Sequence, residues 1–126
     1  MPEIAKPVVA VVDDDPRVLE SLGDLLESAG LSARTYASAK MLLSGRNLAG
    51  VDCLITDIGM PDMDGLELKR MVEKERPNLP VILITGRHDV SEFPQIEKER
   101  FFRKPFDGKA LLTAIAHALN GKENLQ

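Results

Sequence analysis

Val8 to Val12 is an unbroken apolar run that stops abruptly at Asp13-Asp14-Asp15-Pro16. A run this short and this rich in valine reads as a strand buried on both faces, and such strands belong to parallel sheets covered by helices above and below. The residues after it carry a helix start, because Asp15 is a capping residue and Pro16 suits a first helical position. Val18, Leu19, Leu22, Leu25, Leu26 and Ala29 then follow helical spacing, and Gly30 stands where a C-terminal glycine belongs.

The alternation continues along the chain. Leu31 to Tyr36 predicts a second, weaker strand, and Ser38 to about Ser44 a short helix. Val51 to Thr56 predicts a third strand, followed by the turn-rich Gly59-Met60-Pro61-Asp62-Met63-Asp64-Gly65 and a helix from Leu66 to about Glu75. Val81 to Thr85 predicts a fourth strand of buried character. Residues 86–100 are the least readable: helical propensity is reasonable at Gln95 to Arg100, but Pro94 interrupts any longer helix. Phe101-Phe102-Arg103 predicts a short fifth strand. Asp107 then caps a last helix reaching Leu119, with Ala110, Leu111, Ala114, Ile115 and Ala118 on its apolar side. Strand and helix in alternation imply a doubly wound α/β domain with right-handed crossovers.

A length of 126 residues suits one such domain, with a core over about residues 7–120 and a polar tail at 121–126. A net charge of −4 argues against intrinsic binding to nucleic acid or to an anionic membrane. No apolar stretch approaches the ~20 residues of a membrane span, and the N-terminus lacks the pattern of a signal peptide, so a cytoplasmic location is expected. The single cysteine, Cys53, lies in an apolar run with no basic neighbour and reads as a small buried hydrophobe. His88 and His117 share no metal-ligand spacing.

In doubly wound sheets, ligands collect at the carboxyl ends of the strands. The first strand ends in Asp13-Asp14, the third in Asp57, the fourth in Thr85 and the fifth in Lys104. Three acids, a hydroxyl and an ammonium thus share one rim. Close carboxylates repel by roughly 4 kcal/mol per pair at ~4 Å and an effective dielectric near 20, which a divalent cation relieves. Oxygen ligands favour Mg²⁺ or Ca²⁺ over zinc, and Mg²⁺ commonly takes one or two carboxylates and completes its shell with water and substrate phosphate. Asp14 and Asp57 can serve together only if the first and third strands are neighbours, which the strand order 2-1-3-4-5 satisfies. A carboxylate so placed is a nucleophile toward phosphorus. Lys104 and Thr85 supply the charge neutralisation and hydrogen bonding that phosphoryl transfer requires.

The segments Val11-Val12-Asp13-Asp14-Asp15-Pro16, Leu54 through Gly65, Ile84-Thr85-Gly86 and Lys104-Pro105-Phe106 together resemble a response-regulator receiver domain of two-component signalling. The resemblance spans nearly the whole chain. It implies a (βα)5, flavodoxin-like fold and a signalling switch rather than an enzyme. It implies Asp57 as phosphoacceptor, with Mg²⁺ (or Mn²⁺) held by Asp14, Asp57 and the backbone carbonyl of Gly59, and by Asp13 through water. It further implies that Thr85 moves toward the phosphoryl group, that Phe101 is the aromatic switch, that Lys104 pairs with the phosphate, and that the Lys104–Pro105 bond is cis. The implied partners are a sensor histidine kinase or a histidine phosphotransfer protein, and a downstream effector. A homodimer through the fourth helix, fifth strand and last helix is a further implication.

Three features depart from that pattern. The stretch between Thr85 and Lys104 is short, Glu99-Arg100 replaces a small-residue step, and Pro94 falls where a fourth helix would run. Position 59 is Gly and position 87 is Arg, so Gly59 and Arg87 are expected to tune the lifetime of the phosphorylated state. Two other readings compete. A Mg²⁺-dependent phosphohydrolase of the haloacid-dehalogenase type would place a second Asp at position 59, where Gly59 cannot transfer a proton. Its acidic motif could be mimicked by Asp62 and Asp64, which instead read as turn and cap. A pseudo-receiver would keep the fold as a binding module without phosphorylation.

Overall fold

The computed structural model describes residues 6–86 and 101–124. Five parallel strands form one sheet: β1 (Val8–Val12), β2 (Ser32–Tyr36), β3 (Cys53–Asp57), β4 (Val81–Thr85) and β5 (Phe101–Arg103). Their order is β2-β1-β3-β4-β5, the order expected from sequence, with the strands that lead to Asp14 and Asp57 side by side. The helices among the described residues are α1 (Pro16–Ser28), α2 (Ala39–Leu43), α3 (Gly65–Glu75) and α4 (Gly108–Asn124).

The pleat sends alternate strand residues to two cores. Ala10, Val12, Leu54 and Leu83 pack with α2 and α3 residues such as Leu42, Leu68 and Val72. Val9, Val11, Cys53, Ile55, Ile82 and Ile84 pack with Leu22 and Leu26 of α1 and Leu111, Ile115 and Ala118 of α4. β3 and β4 are buried at every residue, so they carry apolar side chains on both faces. Each leucine or isoleucine so buried contributes about 1.5–3 kcal/mol from its removal from water.

Local chemistry sets the helix ends. Asp15 caps α1 by accepting from the Arg17 N–H at 2.9 Å, with Pro16 in the first turn. The helix stops where Leu31 N–H reaches back to the Leu26 carbonyl at 3.0 Å and Gly30 adopts φ +82°. Asp64 caps α3 by accepting from Glu67 N–H at 2.8 Å, which is the role read for it from sequence.

Four expectations change. β3 starts at Cys53 rather than Val51, because Asp52 turns its carboxylate to the Val8 N–H at 2.8 Å and closes the start of β1. The Val51 carbonyl is taken by the Arg76 guanidinium at 2.7 Å. Ala29 and Ala110 are exposed and not part of the apolar faces assigned to them. The last helix runs on to Asn124 rather than stopping at Leu119, and nothing in the structure explains its continuation through Gly121. Pro94 and the helical propensity around it lie outside the described residues.

Candidate functional site

The sheet register brings the strand ends level. Val12 pairs with Thr56, Asp57 with Ile84, and Thr85 with Arg103. The residues that follow β1 and β5, and those that end β3 and β4, therefore meet on one edge. Asp13 is fully buried there, and Asp57 and Thr85 are nearly so. Asp14 is exposed. Carboxylate oxygens of Asp13, Asp14 and Asp57 lie within 4.8 Å of one another.

Lys104 enters the cluster from the opposite side of the sheet order. Its ammonium donates to Asp13 Oδ2 at 2.7 Å and stands 3.7 Å from Asp57 Oδ1. Its backbone N–H donates to the Thr85 carbonyl at 2.7 Å, which ties the ends of β4 and β5 together. The Lys104–Pro105 bond is cis. Asp13 also accepts from the Asp15 N–H through Oδ1 at 2.8 Å, so both its oxygens are engaged.

The electrostatics follow from this crowding. Burial raises the Asp57 carboxyl above its ordinary value; the charges of Asp13 and Asp14 push the same way, against Lys104 and a backbone hydrogen bond from Gly59. For Lys104, burial alone favours the neutral amine. The hydrogen bond to Asp13 and the charges of Asp57, Asp13 and Asp15 outweigh burial and hold the ammonium above its usual range. Among the described residues, the site is thus a cluster of carboxylates with the Lys104 ammonium already set against them.

The donor set fits a hard divalent cation. Among the described residues it offers three carboxylates, two of them buried, and no nitrogen or sulfur ligand. Asp14 is the member most open to an arriving ion.

Five residues picked out from sequence, Asp13, Asp14, Asp57, Thr85 and Lys104, come together on this edge. Gly59 is half-buried two residues beyond Asp57, on the loop leading to α3. Phe101 is partly buried at the start of β5, packed against the core on the α2 and α3 side. Arg87 and His88 lie outside the described residues, and His117 is exposed on α4. Sequence reasoning gave no role to Thr56. Its hydroxyl is buried and donates to the Asp57 carbonyl at 3.1 Å.

The family model described as "Response regulator receiver domain" matches residues 9–116. The response regulator protein TodT of Pseudomonas putida is 38% identical over 115 residues, covering 89% of this chain and 51% of TodT. The transcriptional regulatory protein FixJ of Azorhizobium caulinodans is 37% identical over 114 residues, covering 88% of this chain and 54% of FixJ. The chain therefore spans about half the length of the curated relatives it matches. A receiver-domain structure from Clostridium thermocellum superposes with a TM-score of 0.86 at 30% identity, covering 95% of this chain and 99% of that one.

Proposed function

Since the chain belongs to the response-regulator receiver-domain family of two-component systems, we propose that it is a phosphoacceptor switch with Asp57 as the acceptor. The observation that carries this reading is the placement of the Asp57 carboxylate, buried beside Asp13 and Asp14 and 3.7 Å from the Lys104 ammonium.

Asp14 and Asp57, with the Gly59 carbonyl, would hold Mg²⁺, and Asp13 would act through water; Mn²⁺ suits the same oxygen donors. When bound, the ion neutralises charge on the transferred phosphoryl oxygens. The chain's own groups do the rest. A carboxylate oxygen of Asp57 attacks phosphorus in line. The new O–P bond forms as the donor's N–P bond breaks, and that electron pair leaves with the donor's imidazole nitrogen. Burial limits the water that would hydrolyse the acyl phosphate. Lys104 moves its charge from the carboxylates toward the incoming phosphoryl oxygens, and Thr85 donates a hydrogen bond to one of them.

The product carries about two negative charges at Asp57. Lys104 and Thr85 engage them better in one conformation than in another, and Phe101 carries the difference toward the fifth strand and last helix. The shift in population is set by that difference alone. The donor is a sensor histidine kinase or its phosphotransfer partner, and the output passes to a downstream effector, on the same polypeptide or apart from it. Residues 1–126 act as one receiver domain, in the cytoplasm. Gly59 and Arg87 set the lifetime of the acyl phosphate.

Intact-mass measurement after incubation with a small acyl-phosphate donor and Mg²⁺ tests the reading. One phosphoryl group is expected, absent from Asp57→Asn and absent when a chelator is present. A folded wild-type chain that gains nothing would instead be a binding module.

A further inference from the structure

We propose that Gly65 and Thr56 are positioning residues for the phosphoacceptor: Gly65 lets the start of α3 close directly on the Asp57 carbonyl at the end of β3, and the Thr56 hydroxyl donates to that same carbonyl. The inference rests on the reading of Asp57 as the acceptor and adds two residues to the machinery that places it.

Gly65 is buried, and it approaches β3 as only a glycine can. A Cβ built on it would collide with the Asp57 carbonyl oxygen, and would lie 2.9 Å from Ile58 Cα and 3.0 Å from the Asp57 carbonyl carbon. All three neighbours are backbone, so no side chain can swing aside. Either α3 must lift or the end of β3 must shift.

Lifting α3 is resisted. Gly65 N–H donates to the Ile58 carbonyl at 2.9 Å, and the Asp64 cap holds Glu67 N–H at 2.8 Å. The loop before it is tightly wound. Met60 N–H reaches the Ile58 carbonyl at 3.1 Å, Met63 N–H reaches the Pro61 carbonyl at 2.8 Å, and Asp62 adopts φ +69°. The side chains of Leu66 and Leu68 anchor the helix in the core.

Thr56 holds the same carbonyl. Its buried hydroxyl donates to the Asp57 carbonyl oxygen at 3.1 Å. Successive strand side chains point to opposite faces, so Thr56 grips the peptide from the face away from the Asp57 carboxylate. The Asp57 peptide plane sets the direction of its Cα–Cβ bond. A shift there moves the carboxylate relative to Lys104, Asp13 and Asp14, and a misplacement of about 1 Å costs on the order of 100-fold in a reaction that depends on alignment.

The test uses the full chain, with Gly65→Ala, Thr56→Val and Thr56→Ser beside the wild type, and Gly23→Ala as a control. A Cβ at Gly23 meets only Thr35 Cγ2 at 4.0 Å. Three quantities are read well below the unfolding temperature: the Asp57 Oδ1 to Lys104 Nζ separation in a crystal structure, Mg²⁺ affinity by calorimetry without donor, and the phosphorylation rate with a small acyl phosphate at saturating Mg²⁺. Gly65→Ala is expected to displace the carboxylate from its 3.7 Å separation, to weaken Mg²⁺ binding, and to slow phosphorylation about 10- to 100-fold. Thr56→Val should slow it by a smaller factor, Thr56→Ser should restore it, and Gly23→Ala should match wild type. A folded Gly65→Ala chain with an unmoved carboxylate and an unchanged rate overturns the proposal. If that variant does not fold, equal rates for Thr56→Val and Thr56→Ser overturn it instead. A wild type that takes no phosphoryl group sinks the phosphoacceptor reading, while the carboxylate position and Mg²⁺ affinity still decide the positioning role.

Discussion

Lys104 Nζ is a full ångström closer to Asp13 than to Asp57, at 2.7 Å against 3.7 Å. In the resting chain its charge therefore belongs first to Asp13, a carboxylate with no exposure to solvent. Asp57 keeps the weaker share of that charge.

Replacing Lys104 by Met leaves Asp13 buried with only the Asp15 N–H as a described partner. Breaking a fully buried pair costs about 3–5 kcal/mol, but the lysine end is partly open to water, so a loss of about 1–3 kcal/mol is expected. Urea unfolding near neutral pH measures it. A midpoint equal to wild type would mean that the contact carries no net stability. The contribution has a defined pH window. The folded-state value of Lys104 is raised, so its stabilisation is complete below the ordinary lysine value of 10.5 and disappears as pH climbs through the raised one.

Asp57→Asn should stabilise the fold at neutral pH. Burial and the neighbouring carboxylates raise the folded-state value of Asp57, so the native state binds its proton more readily than the unfolded chain. Stability then falls as pH rises from about the ordinary 3.8 through the raised value, and the ionised group is a burden above that window. A thermal midpoint roughly 2–5 °C above wild type at pH 7 is expected. The gap should close as the medium is acidified toward the ordinary carboxylate range. Thermal scans at several pH values in metal-free buffer check this, and a gap that widens on acidification would reverse the sign argued here.

Mg²⁺ should raise the thermal midpoint of the wild type. At about 100 times its dissociation constant a ligand of the native state adds about 2.7 kcal/mol. Asp57→Asn and Asp14→Ala should show little of that increase. An equal rise in all three chains would place the ion elsewhere.

Arg76→Ala separates scaffold from site. The guanidinium donates to the carbonyls of Leu48 and Val51 at 2.8 and 2.7 Å, holding the approach to β3 at the end of the sheet far from Asp57. Losing two partly buried, charge-assisted bonds should cost about 1–3 kcal/mol. The phosphorylation rate below the unfolding temperature should stay at the wild-type value. A chain that keeps its stability, or loses its rate while folded, would contradict this division.

The sequence made the sheet readable where its runs were purely apolar. The bounds of β1, β4 and β5 coincide with the expected ones. β3 shifted because Asp52 sits inside an apolar run, and periodicity does not reveal that its carboxylate closes on a strand 44 residues away. The last helix runs past its expected end at Leu119; the polar composition of the residues that follow reads as a tail and not as a helix face. The five polar residues of the rim were legible, since each ends a strand with chemistry that a buried sheet does not otherwise use. The hold on the Asp57 carbonyl was not. A threonine inside a strand is ordinary, and a glycine opening a helix after a turn announces a bend rather than a close approach.

Asp13 and Lys104 stand 91 residues apart, on opposite sides of the Asp57 strand in the chain's order. During synthesis the acids of β1 and β3 leave the ribosome well before the lysine that offsets them. A chain arrested or clipped before β5 carries Asp13, Asp14 and Asp57 without Lys104. It lacks both the edge strand of the sheet and the α4 side chains that seal one core. The long closure ties the charge balance of this edge to the last strand: until β5 lies beside β4, the ammonium that faces Asp13 is not in place.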